Sequence, residues 1–538
     1  MKPEIRRKLV AVITVVVLVA LAGIVGYRLF LQPPAFVGDD TLMDFLPPAA
    51  DIAVLHRGVE ADWKTIRHSN WFRKLMARPD MKRFAHKNHL HRPDLSDAEK
   101  WILDIVGDRV LAAAVPGSKL PGGYNIFAFA PIGARAKRLE LMADLVQHGQ
   151  KVGFKMTSSD HNGHEVVRVQ VEDWPEGLAV KYTKLRGVAV VSFSDAEDTL
   201  ERYLDGQITA PGVVSLVDHL HAELGRVNVM EIGAYRGRAG GAMRWVLEST
   251  GAGQLRLTTL APLAGPPPAG VEGSVPSATL AARLSDDALL RVRGRLSEWT
   301  AMAAAYGSFF MPERKGAGQG ALARLKEDAP WIQDTFAAAM LPGQAMLSKL
   351  PLPVPQLALA LDCTDRRQAQ TGIERVVMDL NSQTKMDLAL QATTVAKSPA
   401  QRVISQSPEL ASQIRRWPVF AFAGNVLLAG SGDDILGAML SRSATRKSQS
   451  EENNLTWEVE PTVRMARGAL AAYTLAQMFT GQQTPPNVAL GLARLDIALD
   501  VLVGVRRLTV TGQVGGEAAR LVVDMSCEDV LPGGSGSK

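Results

Sequence analysis

The longest apolar stretch of the chain comes first. Leu9 to Tyr27, LVAVITVVVLVALAGIVGY, runs 19 residues without a charge, close to the ~20 that a helix needs to cross a bilayer. Inside lipid every backbone polar group must be satisfied within the segment, which favours helix in spite of the valines. Lys2, Arg6, Arg7 and Lys8 precede it, and basic residues on that side keep the N-terminus cytoplasmic. Ala20-Leu21-Ala22 has the small-x-small form of a signal-peptidase site, but apolar residues continue to Val25 and resume at Leu29-Phe30-Leu31. The pattern therefore predicts an uncleaved single-pass signal anchor, with a basic tip at 1–8, a transmembrane helix at 9–27 and a stem at 28–43 containing Pro33-Pro34.

Beyond the stem the periodicity changes to short alternating runs. Ile52 to Leu55 reads as a strand leading into Arg57-Gly58, and Trp63 to Leu75 as an amphipathic helix with Trp63, Ile66, Trp71, Phe72 and Leu75 apolar. A helix from about Ser96 to Ile105 precedes strands at Val110–Val115 and Tyr124–Pro131, and a helix follows at Ala134–Gly149. Phe154–Thr157 and Glu165–Val171 flank Asn162-Gly163, a strong hairpin signal; Ala179–Tyr182 and Val188–Phe193 flank Arg186-Gly187. Helices at Asp195–Tyr203 and Val213–Leu224 lead to a three-strand meander, Asn228–Tyr235, Ala242–Leu247 and Gln254–Leu260. Strands joined by hairpins, with helices between, predict an α+β fold with mostly antiparallel sheet.

The opening pattern then returns. DIAVLHRGVEADW at Asp51–Trp63 is matched by DALLRVRGRLSEW at Asp287–Trp299, with Asp51/Asp287, Arg57/Arg293, Gly58/Gly294 and Trp63/Trp299 all 236 residues apart (287 − 51 = 236). Gly107 and Gly343 keep that offset, Ile126–Ala130 corresponds to Gln356–Leu361, and the hairpin around Gly187 to Val419–Ala429 around Gly424. Two tandem, similar α+β units are predicted: copy one at 44–260, a Pro-rich linker at 261–277, copy two at 278–530 and a flexible tail at 531–538. In copy two, Arg442–Asn454 reads as a polar loop and Thr462–Phe479 as a helix. Ala489–Val503, Arg507–Gln513 and Arg520–Cys527 repeat the meander, the first of these equally readable as helix. Gly58 and Gly294 are expected to make the same strand-to-helix turn, which needs either a positive φ or a close backbone approach.

Composition bounds the function classes. With 46% hydrophobic and 21% charged residues the body is globular, and a net charge of +5 over 538 residues predicts no nucleic-acid surface. Cys363 and Cys527 alone exclude a disulfide scaffold and a four-cysteine zinc site, and no obligatory disulfide is expected between them.

Motifs carry little chemistry. His86, His89 and His91 beside Asp94 have spacing that neutral imidazoles could use for Zn²⁺ or Cu²⁺, but Lys82, Arg83 and Lys87 oppose a cation and favour a solvated basic loop. His164-Glu165-Val166-Val167-Arg168 opens like a zincin motif, yet has Arg at the second ligand position and reads as strand, not helix. Ser382-Gln383-Thr384-Lys385 has Ser-x-x-Lys spacing without either companion motif, so a surface loop is expected. Gly237–Gly241 reads as a hairpin turn, Gly430–Asp434 as a strand-to-helix turn, and Trp63, Trp71, Trp299 and Trp331 as core. No catalytic, cofactor-binding or metal-binding residue is assigned, and no cofactor.

The reading is a non-catalytic binding or scaffolding protein of a bacterial envelope, held in the inner membrane by residues 9–27, with its body in the periplasm and an envelope protein as partner. The alternatives are a carrier of a lipid or other apolar ligand in a groove between the copies and, third, an envelope hydrolase.

Overall fold

The computed structural model describes residues 38–69, 72–73, 76–78, 108–119, 123–131, 154–171, 178–209, 216–225, 229–237, 241–251, 253–263, 265–267, 274–310, 329–345, 353–384, 386–414, 416–442, 453–480, 495, 499, 502 and 504–527. The segment 9–27, the histidines at 86–91 and the helices expected at 96–105 and 134–149 lie outside these residues, as do Trp71, Gly107 and the tail. Among the described residues no helix is long and apolar enough to cross a membrane.

The protein is α+β with antiparallel sheet, and it divides into two compact units at Thr259/Leu260. In the first, helix α1 (Asp39–Met43) leads into β1 (Ile52–Arg57), and α2 (Val59–His68) follows at once. Then come β2 (Arg109–Pro116), β3 (Tyr124–Pro131), β4 (Phe154–His161), β5 (His164–Val171), β6 (Ala179–Leu185) and β7 (Val188–Ser194). Helices α3 (Thr199–Leu204) and α4 (Val217–His221) precede β8 (Val229–Arg236), β9 (Ala242–Gly251) and β10 (Gln254–Pro262). The spatial order is β4-β5-β6-β7-β3-β2-β1-β8-β9-β10. Alternation along the strands puts Ala53, Leu55, Leu111, Ala113, Phe127, Phe129, Val188 and Val190 on one face. Leu42 and Met43 of α1, Leu200 of α3 and Leu220 of α4 close over them.

The second unit opens with α5 (Ser277–Ala281), β11 (Leu290–Arg295) and α6 (Leu296–Phe310). It continues through β12 (Ile332–Ala345), β13 (Pro353–Cys363), α7 (Arg366–Thr384), β14 (Leu388–Val395), β15 (Ser398–Ser405), α8 (Pro408–Gln413), β16 (Val419–Ala423), β17 (Val426–Gly430) and α9 (Asp433–Ser441). β18 (Asn453–Glu458), α10 (Val459–Thr480), β19 (Val505–Gly515) and β20 (Ala518–Cys527) complete it. Its order, β14-β15-β16-β17-β13-β12-β11-β18-β19-β20, has the same strand sequence as the first unit, position for position. One sheet face is packed by Leu280, Leu284, Leu436 and Met439. The other carries Trp331, Leu361, Cys363 and Phe420 beneath Ala369 of α7.

Several expectations change. The last five stem residues are helix α1, with Leu42 and Met43 buried, because Arg57 and Arg109 both clamp Asp39 at its start (2.8 and 3.0 Å). Helix α2 begins at Val59, four residues before Trp63, since Gly58 with φ 79° supplies its N-cap. Asn453 and Asn454, placed in a polar loop by sequence, form the start of β18. That strand is the first of the closing meander, which 489–503 was expected to supply. The β14–β15 hairpin has no counterpart in the sequence reading. Its turn, Ala396-Lys397, adopts positive φ (49° and 66°) without glycine or asparagine, so no turn signal marks it.

The offset changes as well. Helices α1 and α5 lie 238 residues apart (277 − 39 = 238), and so do the two-residue turns between β6 and β7 and between β16 and β17 (426 − 188 = 238). At 238, Leu42 meets Leu280, Leu46 meets Leu284 and Ala50 meets Ala288, all buried. The 236 offset survives in helices α2 and α6 for the pairs Asp62/Glu298 and Trp63/Trp299, although the helix starts lie 237 apart (296 − 59 = 237). Gly58 and Gly294 are therefore not equivalent: Gly58 caps a helix, whereas Gly294 lies inside strand β11 and stands where the first unit has His56.

Candidate functional site

The end of the first strand, with the helix that follows it, gathers the charged residues in each unit. In the first unit, β1 places His56 opposite Glu231 of β8, and the first turn of α2 brings Asp62 over them. His56 Nε2 lies 3.0 Å from Asp62 Oδ2 and Nδ1 lies 3.7 Å from Glu231 Oε2. Because Asp62 Oδ2 accepts no well-aligned hydrogen bond, the first contact is an ion pair off the N–H axis. Trp245 Nε1 donates to Glu231 Oε1 at 2.7 Å, and its ring covers Gly233, where a Cβ would stand 2.0 Å from the indole. Burial alone would lower the His56 pKa; the Asp62 and Glu231 carboxylates outweigh it and push the imidazole up to about 9. Burial likewise opposes ionisation of Glu231, yet His56 and Trp245 hold its carboxyl below the usual value. The imidazole is thus a cation at neutral pH with both nitrogens turned to carboxylates, an arrangement that fastens α2 to the sheet and leaves no free base.

The second unit builds this corner without histidine. Arg293 pairs with Asn454 in the β11–β18 register, and one step on Gly294 meets Asn453. The Asn453 carboxamide accepts from Arg295 N at 2.8 Å and donates to Glu298 Oε2 of α6 at 2.5 Å and to Gly512 O at 3.3 Å. It occupies the space a side chain at Gly294 would need, since a Cβ there would stand 2.0 Å from Asn453 Oδ1. The counterpart of Arg57 is Arg295. Arg57 is locked by Asp39 and donates to Leu224 O at 2.9 Å. Ser277 stands where Asp39 would be, and Arg295 instead lies 3.8 Å from Glu298. Both line an open pocket of about 560 Å³ with Leu260, Gly512, Gly515 and Arg520. Two guanidiniums against one carboxylate suit a polar, anion-bearing ligand better than an apolar one.

A third feature lies on α7. Ala369, Ile373, Val376 and Leu380 follow four-three-four spacing, so they line one face of the helix. Ala369 is fully buried on the Trp331 side, where Gly372 lies against the indole. Farther along the same stripe Val376 is 51% exposed and Leu380 41%. The inner face of the helix thus outruns the core it covers. Met378, two residues from both Val376 and Leu380, projects from the opposite, outward face of the helix and does not belong to this stripe.

The sequence-named motifs stay apart from these places. His164–Arg168 is in strand β5, as expected. Ser382 lies in the last turn of α7 rather than in a loop, its Oγ donating to Asp379 O at 2.7 Å. Gly237 and Gly241 close the β8–β9 turn, and Gly432 caps α9. Cys363 and Cys527 are both free thiols, and burial pushes the Cys363 thiol up to about 11. Among the described residues no group of three His, Cys, Asp or Glu could hold a metal ion. His56 belongs to no motif of the sequence, its partners Glu231 and Trp245 come from strands about 180 residues away, and no local signal marks them.

No family model matches the chain, and no curated protein matches it. A solved structure described as "Structure of crystal form I of TP0453" is 11% identical, with 43% of this chain and 81% of that chain covered and a TM-score of 0.26. A likeness at that level carries no argument about fold or function.

Proposed function

We propose that the protein is a membrane-anchored, extracytoplasmic binding or scaffolding protein of a bacterial envelope, built from two tandem copies of one ten-stranded α+β unit and working without catalysis. Position-for-position agreement of strand order supports the duplication. The uncharged run at 9–27, after four basic residues, supports the inner-membrane anchor and a periplasmic body. The observation that carries the binding reading is the apolar stripe of α7, which continues into water at Val376 and Leu380. Exposed apolar surface grouped in this way marks a protein interaction site. His56, locked between two carboxylates, supplies charge to hold the fold and not a proton to a substrate.

A photo-crosslinking residue in place of Val376, in the full chain in its membrane, tests the surface directly. The expected result is a covalent protein adduct; no adduct overturns the reading. The anchor is tested separately by membrane fractionation, and a mature N-terminus at Gly23 would overturn it.

A further inference from the structure

We propose that the partner on this surface is a second copy of the chain, joined edge to edge through strand β14; this rests on the binding reading above. β14 is the outermost strand of its sheet and pairs, among the described residues, with β15 alone. Asp387 O accepts from Gln406 N at 2.8 Å, so alternation turns the N–H and C=O of Leu388, Leu390, Ala392 and Thr394 away from β15. The Asn381 side chain of α7 satisfies Leu388, accepting from its N at 2.5 Å and donating to its O at 2.7 Å. Among the described residues no hydrogen bond engages the outward groups of Leu390, Ala392 and Thr394.

Exposed edges are normally guarded by charge, proline or a bulge. LALQATTV, from Leu388 to Val395, has none of these. What it has is self-complementarity. Antiparallel pairing centred on Ala392 sets Leu390 of each copy opposite Thr394 of the other and uses all three open residues. The same register brings Asp387 of each copy opposite Lys397 of the other (387 + 397 = 2 × 392), so the charges bounding the neutral strand meet their opposites twice per dimer. A two-fold axis normal to the sheet keeps both α7 helices on one face, beside the axis. The overhanging Val376 and Leu380 are then covered by the pairing that fills the strand edge.

The test is the mass of the full chain in detergent across a concentration series, together with charge exchange. Two chains per particle are expected. Asp387→Lys and Lys397→Asp should each raise the dimer dissociation constant about tenfold, and the double exchange should restore it. Ala392→Cys should give a disulfide-linked dimer on oxidation, because directly opposed residues of a hydrogen-bonded pair lie ~5.5 Å apart at Cα; the unsubstituted chain and Glu409→Cys should not. A monomer at every concentration, a dimer indifferent to both single exchanges, or no Ala392→Cys crosslink overturns the proposal. The Val376 adduct separates the two readings. Twice the chain mass supports the dimer, a different mass overturns the dimer and leaves the binding surface standing, and no adduct overturns both.

Discussion

The two units close the same corner of the same strand order with different chemistry. In the first, a charged imidazole bridges Asp62 and Glu231, and Arg57 is spent on Asp39 at the start of α1. In the second, a carboxamide stands in for the cation. Asn453 takes Arg295 N, Glu298 and Gly512 O together, and the strand residue beside it shrinks to Gly294 to make room. The difference shows that this corner needs its helix fastened to its sheet, not any particular residue. It also shows what exchange releases: without an acid at Ser277, Arg295 turns to Glu298 and opens onto a pocket.

Substitutions can break the comparison, and the largest effect is expected at Gly294. Gly294→Ala places a methyl 2.0 Å from Asn453 Oδ1 and 2.7 Å from Trp299 Nε1, at φ 148°, and should cost the second unit about 3–4 kcal/mol in denaturant unfolding. A loss below about 1 kcal/mol would show that the corner relaxes freely. Next is Asn453→Ala. It leaves Arg295 N and Glu298 without their carboxamide at a site 1% exposed, for about 2–3 kcal/mol; a neutral outcome would mean water substitutes fully.

The first unit should respond to pH instead. The folded pKa of His56, about 9, lies above its ordinary 6.5, so protonation favours the folded state. This stabilisation is complete below pH 6.5 and is lost as pH rises through about 9. It amounts to about 2 kcal/mol, the full shift being discounted because the side chain is 29% exposed. His56→Gln should flatten the first unit's stability between pH 6.5 and 9 and leave the second unit's profile alone; an unchanged slope would assign it to other groups. The smallest effect is at Gly58, whose φ is 79° but whose added Cβ would meet nothing closer than 3.7 Å. Gly58→Ala should cost about 1 kcal/mol, and a cost matching that of Gly294→Ala would restore the equivalence that the 238 offset removes.

Hairpins were legible where turn chemistry is local. Asn162-Gly163 and Arg186-Gly187 carry the left-handed conformations their turns need, and β4–β5 and β6–β7 follow from them. Ala396-Lys397 makes the same kind of turn with residues that do not advertise it, so β14–β15 stayed hidden, and with it the open edge. Asn453-Asn454 looked like loop because asparagine is rare in strands. Its burial depends on Glu298, Arg295 and Gly512, whose distances along the chain no periodic pattern reports. The 236 alignment was drawn to matching Arg-Gly pairs, whereas strand pairing matches Arg57 with Arg295.

By itself the sequence determined the class of fold, the alternation that makes one sheet face apolar and most strand positions. All of these depend on residues within a few positions of one another, where pleat and helix periods act. Tertiary structure alone decided which carboxylates enclose His56, why residue 294 has no side chain, where the inner stripe of α7 runs past its core and which strand is left at the edge. Each of those is settled by groups tens to hundreds of residues apart, brought together only when the strands choose their neighbours.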